Sequence, residues 1–124
     1  MRPKLGPMTK AELREMLTNL IFNAVDAMPS GGTVRLTAHP SEESTPGGLW
    51  WELRFQDSGQ GIPTELLGQV FRPMFTTKPE GKGTGLGLSI CREIVRGHGG
   101  EIRIESTEGR GTTVVFTLPG SVSA

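Results

Sequence analysis

Apolar side chains recur at helical spacing near the start of the chain. Leu13, Leu17, Leu20, Ile21, Ala24, Val25 and Met28 fall on one stripe and predict a helix from about Lys10 to Met28. Thr9 is placed to cap it, with Glu12 three residues on as its capping-box partner. Pro29, Ser30, Gly31 and Gly32 stop it. The opposite face then carries Asn19, Asn23 and Asp26.

The period then changes from 3.6 to 2. Thr33 to Ala38 and Leu49 to Gln56 alternate and read as strands, with Trp51, Leu53 and Phe55 on one face and Trp50 on the other. Between them HPSEESTPGG is a polar loop. Pro63 to Val70 predicts a short helix with proline in its first turn. Phe71 to Lys82 has no period of its own, which points to a functional loop or lid. A helix follows over Leu86 to Val95 and ends at His98-Gly99-Gly100. Glu101 to Glu105 and Thr113 to Leu118 alternate again around a turn at Thr107 to Gly111. This order predicts an α+β fold: a two-layer sandwich with one mixed, mainly antiparallel sheet and helices on one face.

At 124 residues the chain is one domain. We divide it into a linker end at 1–8, a folded body at 9–119 and a tail at 120–124. With 13 basic and 13 acidic side chains the formal charge is zero, and no basic stripe of the nucleic-acid-binding kind is present. No apolar run approaches the length that spans a bilayer, so no membrane contact is expected. The lone Cys91 sits among Leu88, Ile90, Ile94 and Val95, which reads as a buried thiol and fits a reducing, cytoplasmic setting.

The candidate chemistry is concentrated in three places. Gly81, Gly83, Gly85 and Gly87 crowd the front of the second long helix. Backbone N–H groups from Gly83, Thr84, Gly85, Leu86, Gly87 and Leu88, with the positive end of the helix dipole, form a natural phosphate site; the plainer alternative is a turn. The spacing is neither a Walker A loop nor the dinucleotide fingerprint. Asn19 and Asn23 lie four apart, so their amides stack on one helix face and offer oxygen to Mg²⁺, or simply meet solvent. Asp57 ends a strand before Gly59 and Gly61, where a carboxylate can accept from an exocyclic amine such as adenine's or close an Asx turn. In the lid, Thr77, Lys78 and Lys82 are placed to reach phosphates, or stand as solvated surface groups. Phe71 and Phe75 read as residues that pack the lid onto the body.

Four blocks stand in order: NLIFNAVDAM, DSGQGIP, FRPMFTTKPEGKGTGLGLS and GRGTTVVFTLP. Together, over about Leu13 to Pro119, they resemble the ATP-binding catalytic domain of sensor histidine kinases, in the superfamily shared with gyrase, heat-shock chaperone and mismatch-repair ATPases. The FRPMFTTK and NAVDAM blocks are similar to the nitrogen-regulation type. The resemblance implies ATP and Mg²⁺ as ligands. It implies Asn23 as the metal ligand, and Asn19 and Lys78 beside the reacting phosphates. Asp57 would hold the adenine amine, Gly59 and Gly61 would let the base approach, and Ile62 would line its pocket. Thr112 or Thr113 would support the adenine end.

The same resemblance implies partners: a dimerisation domain that supplies the phosphoacceptor histidine, and a response regulator downstream. Asp26 stands where some relatives carry a basic residue. Neither His39, before Pro40, nor His98, before Gly99, has the His-Glu or His-Asp context of an acceptor, and His98 reads as a helix-end residue. The family's first strand pair is largely missing before Thr9, which predicts a sheet trimmed at one edge. Stand-alone ATPases and anti-sigma-type serine kinases of this superfamily carry a catalytic Glu where Asn19 stands. An intact set of blocks also argues against a degenerate scaffold.

Overall fold

The computed structural model describes residues 8–41, 50–72, 87–120 and the backbone of 122–123. The first helix, α1, runs Lys10–Ala27. Thr9 caps it as the spacing predicts: Thr9 Oγ1 accepts from Glu12 N at 3.1 Å, and the Thr9 N–H donates to Glu12 Oε1 at 3.1 Å. Both bonds satisfy donors that the first turn would otherwise strand. The second helix, α2, covers Gly87–Gly97, and a 3₁₀ turn spans Thr64–Gln69 just after Pro63.

The strands are β1 (Met8–Thr9), β2 (Val34–Pro40), β3 (Trp50–Asp57), β4 (Ile102–Thr107), β5 (Gly111–Pro119) and β6 (Val122–Ser123). Four form an antiparallel sheet in the order β2-β3-β5-β4, while β1 and β6 make a separate parallel pair. The register opposes Phe55 to Val114 and Leu53 to Phe116, so alternate residues of β3 and β5 share the helix-facing side. There Phe55, Val114, Phe116 and Leu118 meet Met16, Leu20 and Ala24 of α1 and Cys91 and Val95 of α2. Each large side chain removed from water here contributes roughly 1.5–3 kcal/mol. The predicted α+β sandwich with helices on one face is what forms.

The predicted apolar stripe of α1 needs two corrections. Met16 is fully buried and belongs to it, whereas Ile21 is 47% and Val25 57% exposed. These two lie off the Met16–Leu20–Ala24 line. Strand β2 is exposed throughout, with Val34 and Leu36 uncovered on its helix-facing side. Among the described residues β2 is thus an exposed edge strand of the sheet.

Cys91 lies under the helix pair, 0% exposed, with its Sγ 3.7 Å from the Met16 carbonyl oxygen. Burial pushes its thiol up from 9.0 to about 12, and the negative charge of Glu15 adds to the shift. Two outcomes are expected. The native protein should resist alkylation by iodoacetamide at pH 8 and react fully once unfolded in urea. Its unfolding free energy should hold below pH 9, then decline toward pH 12, because the unfolded chain releases a proton that the native thiol retains.

Candidate nucleotide site

Burial of Met16, Leu20 and Ala24 sets the rotation of α1. Asn19, Asn23 and Ala27 then stack one turn apart on a neighbouring line of the same helix. The asparagines are half-buried, not solvated. The first residue of α2 sits against them: a Cβ built on Gly87 would lie 3.5 Å from Asn23 Nδ2 and 3.6 Å from Asn19 Cβ. One turn further along α1, the segment after Asp57 packs on Ala27. A Cβ at Gly59 would stand 2.6 Å from the Ala27 carbonyl oxygen, and that oxygen accepts from Gln60 N at 3.1 Å. One face of α1 thus adjoins both the start of α2 and the loop that follows Asp57.

Asp57 ends β3 and is 9% exposed. Its Oδ1 accepts from the Gly59 N–H at 2.9 Å and the Thr112 N–H at 3.3 Å, bonds that leave Oδ2 unused. The Asx turn expected at this position forms, and it orients the carboxylate. The loop beyond is tied to the β4–β5 hairpin. Ile62 N donates to Ser106 Oγ at 2.8 Å, and Gly109 N donates to the Gln60 carbonyl at 2.6 Å. Ser106 in turn contacts the Thr112 hydroxyl at 2.9 Å and donates to the Gly111 carbonyl at 3.0 Å.

These contacts supply a reason for the two glycines that the sequence did not show. Gly59 lets the loop touch the α1 backbone. Gly61 has φ +74°, and any Cβ there would run into the Thr107 carbonyl. Both are required by the loop's own contacts with α1 and the hairpin.

Thr113 is placed elsewhere. It opposes Gln56 in the register, so it lies on the outer face of the sheet. There it lines a groove of about 400 Å³ with Arg35, Thr37, Arg54, Gln56 and Glu105. Thr112, opposite Asp57, is the threonine beside the carboxylate, because a single step along a strand exchanges the two faces. Asn19, Asn23, Asp57, Gly59, Gly61, Ile62, Gly87 and Leu88 are all among the described residues. Thr77, Lys78, Lys82, Gly83, Thr84, Gly85 and Leu86 lie outside them, as does Phe75. Phe71 packs where the sequence expected, its ring 5.5 Å beneath the Arg92 guanidinium of α2. Ser58 and Ser106 escaped the sequence reading. Ser58 Oγ accepts from Thr33 N at 2.9 Å, and no local pattern marks a serine whose partner is 25 positions away.

Residues 8–122 match the family described as histidine kinase-, DNA gyrase B-, and HSP90-like ATPase, and the chain belongs to that family. Sporulation kinase D of Bacillus subtilis is 37% identical over 122 residues, 98% of this chain and 22% of that protein. The catalytic domain of the histidine kinase ThkA, solved free of nucleotide, superposes with a TM-score of 0.72 at 35% identity, over 90% of this chain and 68% of that one. ShkA, solved full-length with AMPPNP, gives 0.69 at 29% identity, over 87% of this chain and 21% of that one. The chain thus spans about a fifth of the length of such a kinase.

Gly61→Ala is expected to cost about 1–3 kcal/mol, because it forces a side chain into a positive-φ turn against a carbonyl. The control is Gly68→Ala, where a Cβ meets nothing within 4 Å and stability should stay within about 0.5 kcal/mol. Urea midpoints at unchanged slope would measure both.

Proposed function

We propose that this chain is the Mg·ATP-binding catalytic domain of a two-component sensor histidine kinase, of the nitrogen-regulation type. One observation carries the reading: the face of α1 bearing Asn19 and Asn23 adjoins both the Gly87 end of α2 and the loop after Asp57. An elongated ligand with a base at one end and phosphates at the other suits that cleft. The family match and the AMPPNP-bound relative support the same reading.

The residues divide the work by chemistry. Asp57, fixed through Oδ1 by two backbone N–H groups, offers Oδ2 to the exocyclic amine of adenine. Ile62 supplies apolar contact to the base, with Gly59 and Gly61 shaping the wall. The Asn23 side-chain oxygen is a hard neutral donor suited to Mg²⁺, with Asn19 beside it. Among the described residues no three His, Cys, Asp or Glu side chains gather as metal ligands, so a metal here would take its remaining oxygens from phosphates and water. Bound Mg²⁺ would neutralise charge on the phosphate oxygens. Backbone N–H groups from Gly83 to Leu88 would do the same from the other side, with Thr77, Lys78 and Lys82 reaching in from the lid.

Phosphoryl transfer needs little covalent help from a protein once the donor is held and its charge offset. The acceptor histidine would come from a dimerisation domain of the parent kinase, and a response regulator would take the phosphoryl group onward. Asn19 cannot remove a proton from water at neutral pH, so the chain should bind ATP and turn it over little. No described helix is long and apolar enough to cross a membrane. A cytoplasmic site of action is part of the proposal.

Isothermal titration tests the two ends separately. Asn23→Ala should lose the Mg²⁺-dependent part of ATP affinity, by about tenfold or more. Asp57→Asn should lose the preference for ATP over GTP. Unchanged affinity in the first or unchanged preference in the second removes that residue from its role. Steady hydrolysis by the wild-type chain alone would favour a stand-alone ATPase instead.

A further inference from the structure

α1 and α2 run antiparallel, and a polar pair joins their far ends. α2 closes in a paired-bond cap: Gly100 N donates to the Val95 carbonyl at 3.0 Å, and Gly99 N to the Arg96 carbonyl at 3.0 Å. That closure turns His98 inward. Its side chain is 3% exposed, and Nε2 lies 3.1 Å from Glu12 Oε1 in the first turn of α1. Glu12 is itself held by the Thr9 capping box. The other ring nitrogen, Nδ1, is buried without a hydrogen-bond partner among the described residues.

An imidazole used only as packing would be a poor choice here. A buried, unsatisfied ring nitrogen opposes stability, and an apolar side chain of similar size would fill the space without that penalty. What the imidazole adds is direction. Apolar contact between Met16 and Val95 is non-directional and tolerates sliding, and the Cys91 thiol that donates to the Met16 carbonyl at 3.7 Å is a weak donor. A hydrogen bond at one end fixes the axial register of the two helices. An eleven-residue helix is about 16 Å long, so that register decides where its first residue lies. The first residue is Gly87, against Asn19 and Asn23.

We infer that His98 and Glu12 are positioning residues, a clasp that sets the register of α2 on α1 and so aligns the phosphate end of the nucleotide site. The inference rests on the proposed Mg·ATP reading. The clasp does not reach the adenine end. Asp57, Thr112, Ser106 and Ile62 are held by the sheet and its hairpin, and none of the hydrogen bonds described there involves α2. The two halves of the ligand should therefore respond differently when the clasp is removed.

The test is His98→Leu in the full chain, with His98→Gln as the conservative variant that keeps a side-chain donor. His98→Leu is expected to weaken Mg·ATP binding about tenfold by isothermal titration, to leave adenosine binding by ligand-observed NMR unchanged, and to keep or raise the melting temperature. His98→Gln should recover most of the Mg·ATP affinity. Without nucleotide, the Gly87 amide resonance should move in His98→Leu and return toward its wild-type position in His98→Gln. Equal loss for adenosine and Mg·ATP, or a lowered melting temperature with no such split, would mark His98 as a general structural prop and overturn the inference. An unmoved Gly87 resonance overturns it whatever the nucleotide results. A wild-type chain that ignores Mg·ATP while Gly87 still moves would defeat the proposed function and leave the clasp standing. If His98→Leu does not fold, His98→Met, an unbranched apolar side chain that also removes the ring nitrogens, reads the same adenosine-to-ATP ratio, with a loss of about tenfold expected and no change overturning the inference.

Discussion

The rotation of α1 about its own axis is the constraint on which this molecule depends. Met16, Leu20 and Ala24 lie on one line, and their burial against Phe55 and Phe116 leaves the helix one stable setting. A turn of about 100°, the step between adjacent residues, would carry Asn19 and Asn23 out of the cleft and put other side chains in their place. No polar contact has to choose that setting. The apolar stripe chooses it, and the paired amides follow. The place of both amides on the molecule is thus set first by apolar packing.

The second wall is built in the opposite way, from backbone hydrogen bonds. The loop after Asp57 has few apolar side chains to bury. It is knitted instead to α1 through Gln60 and Ala27, and to the hairpin through Ile62, Ser106, Gly109 and Gln60. Directional bonds of this type hold a loop in one shape without a core beneath it. One side of α1 thus adjoins a loop shaped by bonded backbone, while the helix itself is held by packing.

Much of this was readable from the chain because it is local. The Thr9–Glu12 cap, the change of period after Gly32, and the hairpin at Thr107 to Gly111 all depend on residues a few positions apart. What could not be read depends on distance or on parity. Ile21 and Val25 fit the apolar period, but whether β2 lies beneath them is a tertiary fact. Thr112 and Thr113 are indistinguishable until register assigns each to a face. The parallel pair of β1 and β6, two residues each, is too short to leave a pattern. His98 and Glu12 are 86 positions apart, and neither is unusual in its own neighbourhood. The glycines of the Asp57 segment have a structural reason that the sequence did not show, since their closest partners are Ala27 and Thr107.

The position of β5 in the sheet has a consequence for how the protein comes into being. It is an inner strand, bonded to β3 on one side and β4 on the other, yet of the four strands in this sheet it is the last in the sequence. A nascent chain can form the β2–β3 ribbon early, but one border of β3 stays bare until Pro119 has cleared the ribosome. Closure is then a late, non-local event that joins segments made far apart in time. Until then that border of β3, Trp50 and Trp51 included, is a row of unpaired backbone groups.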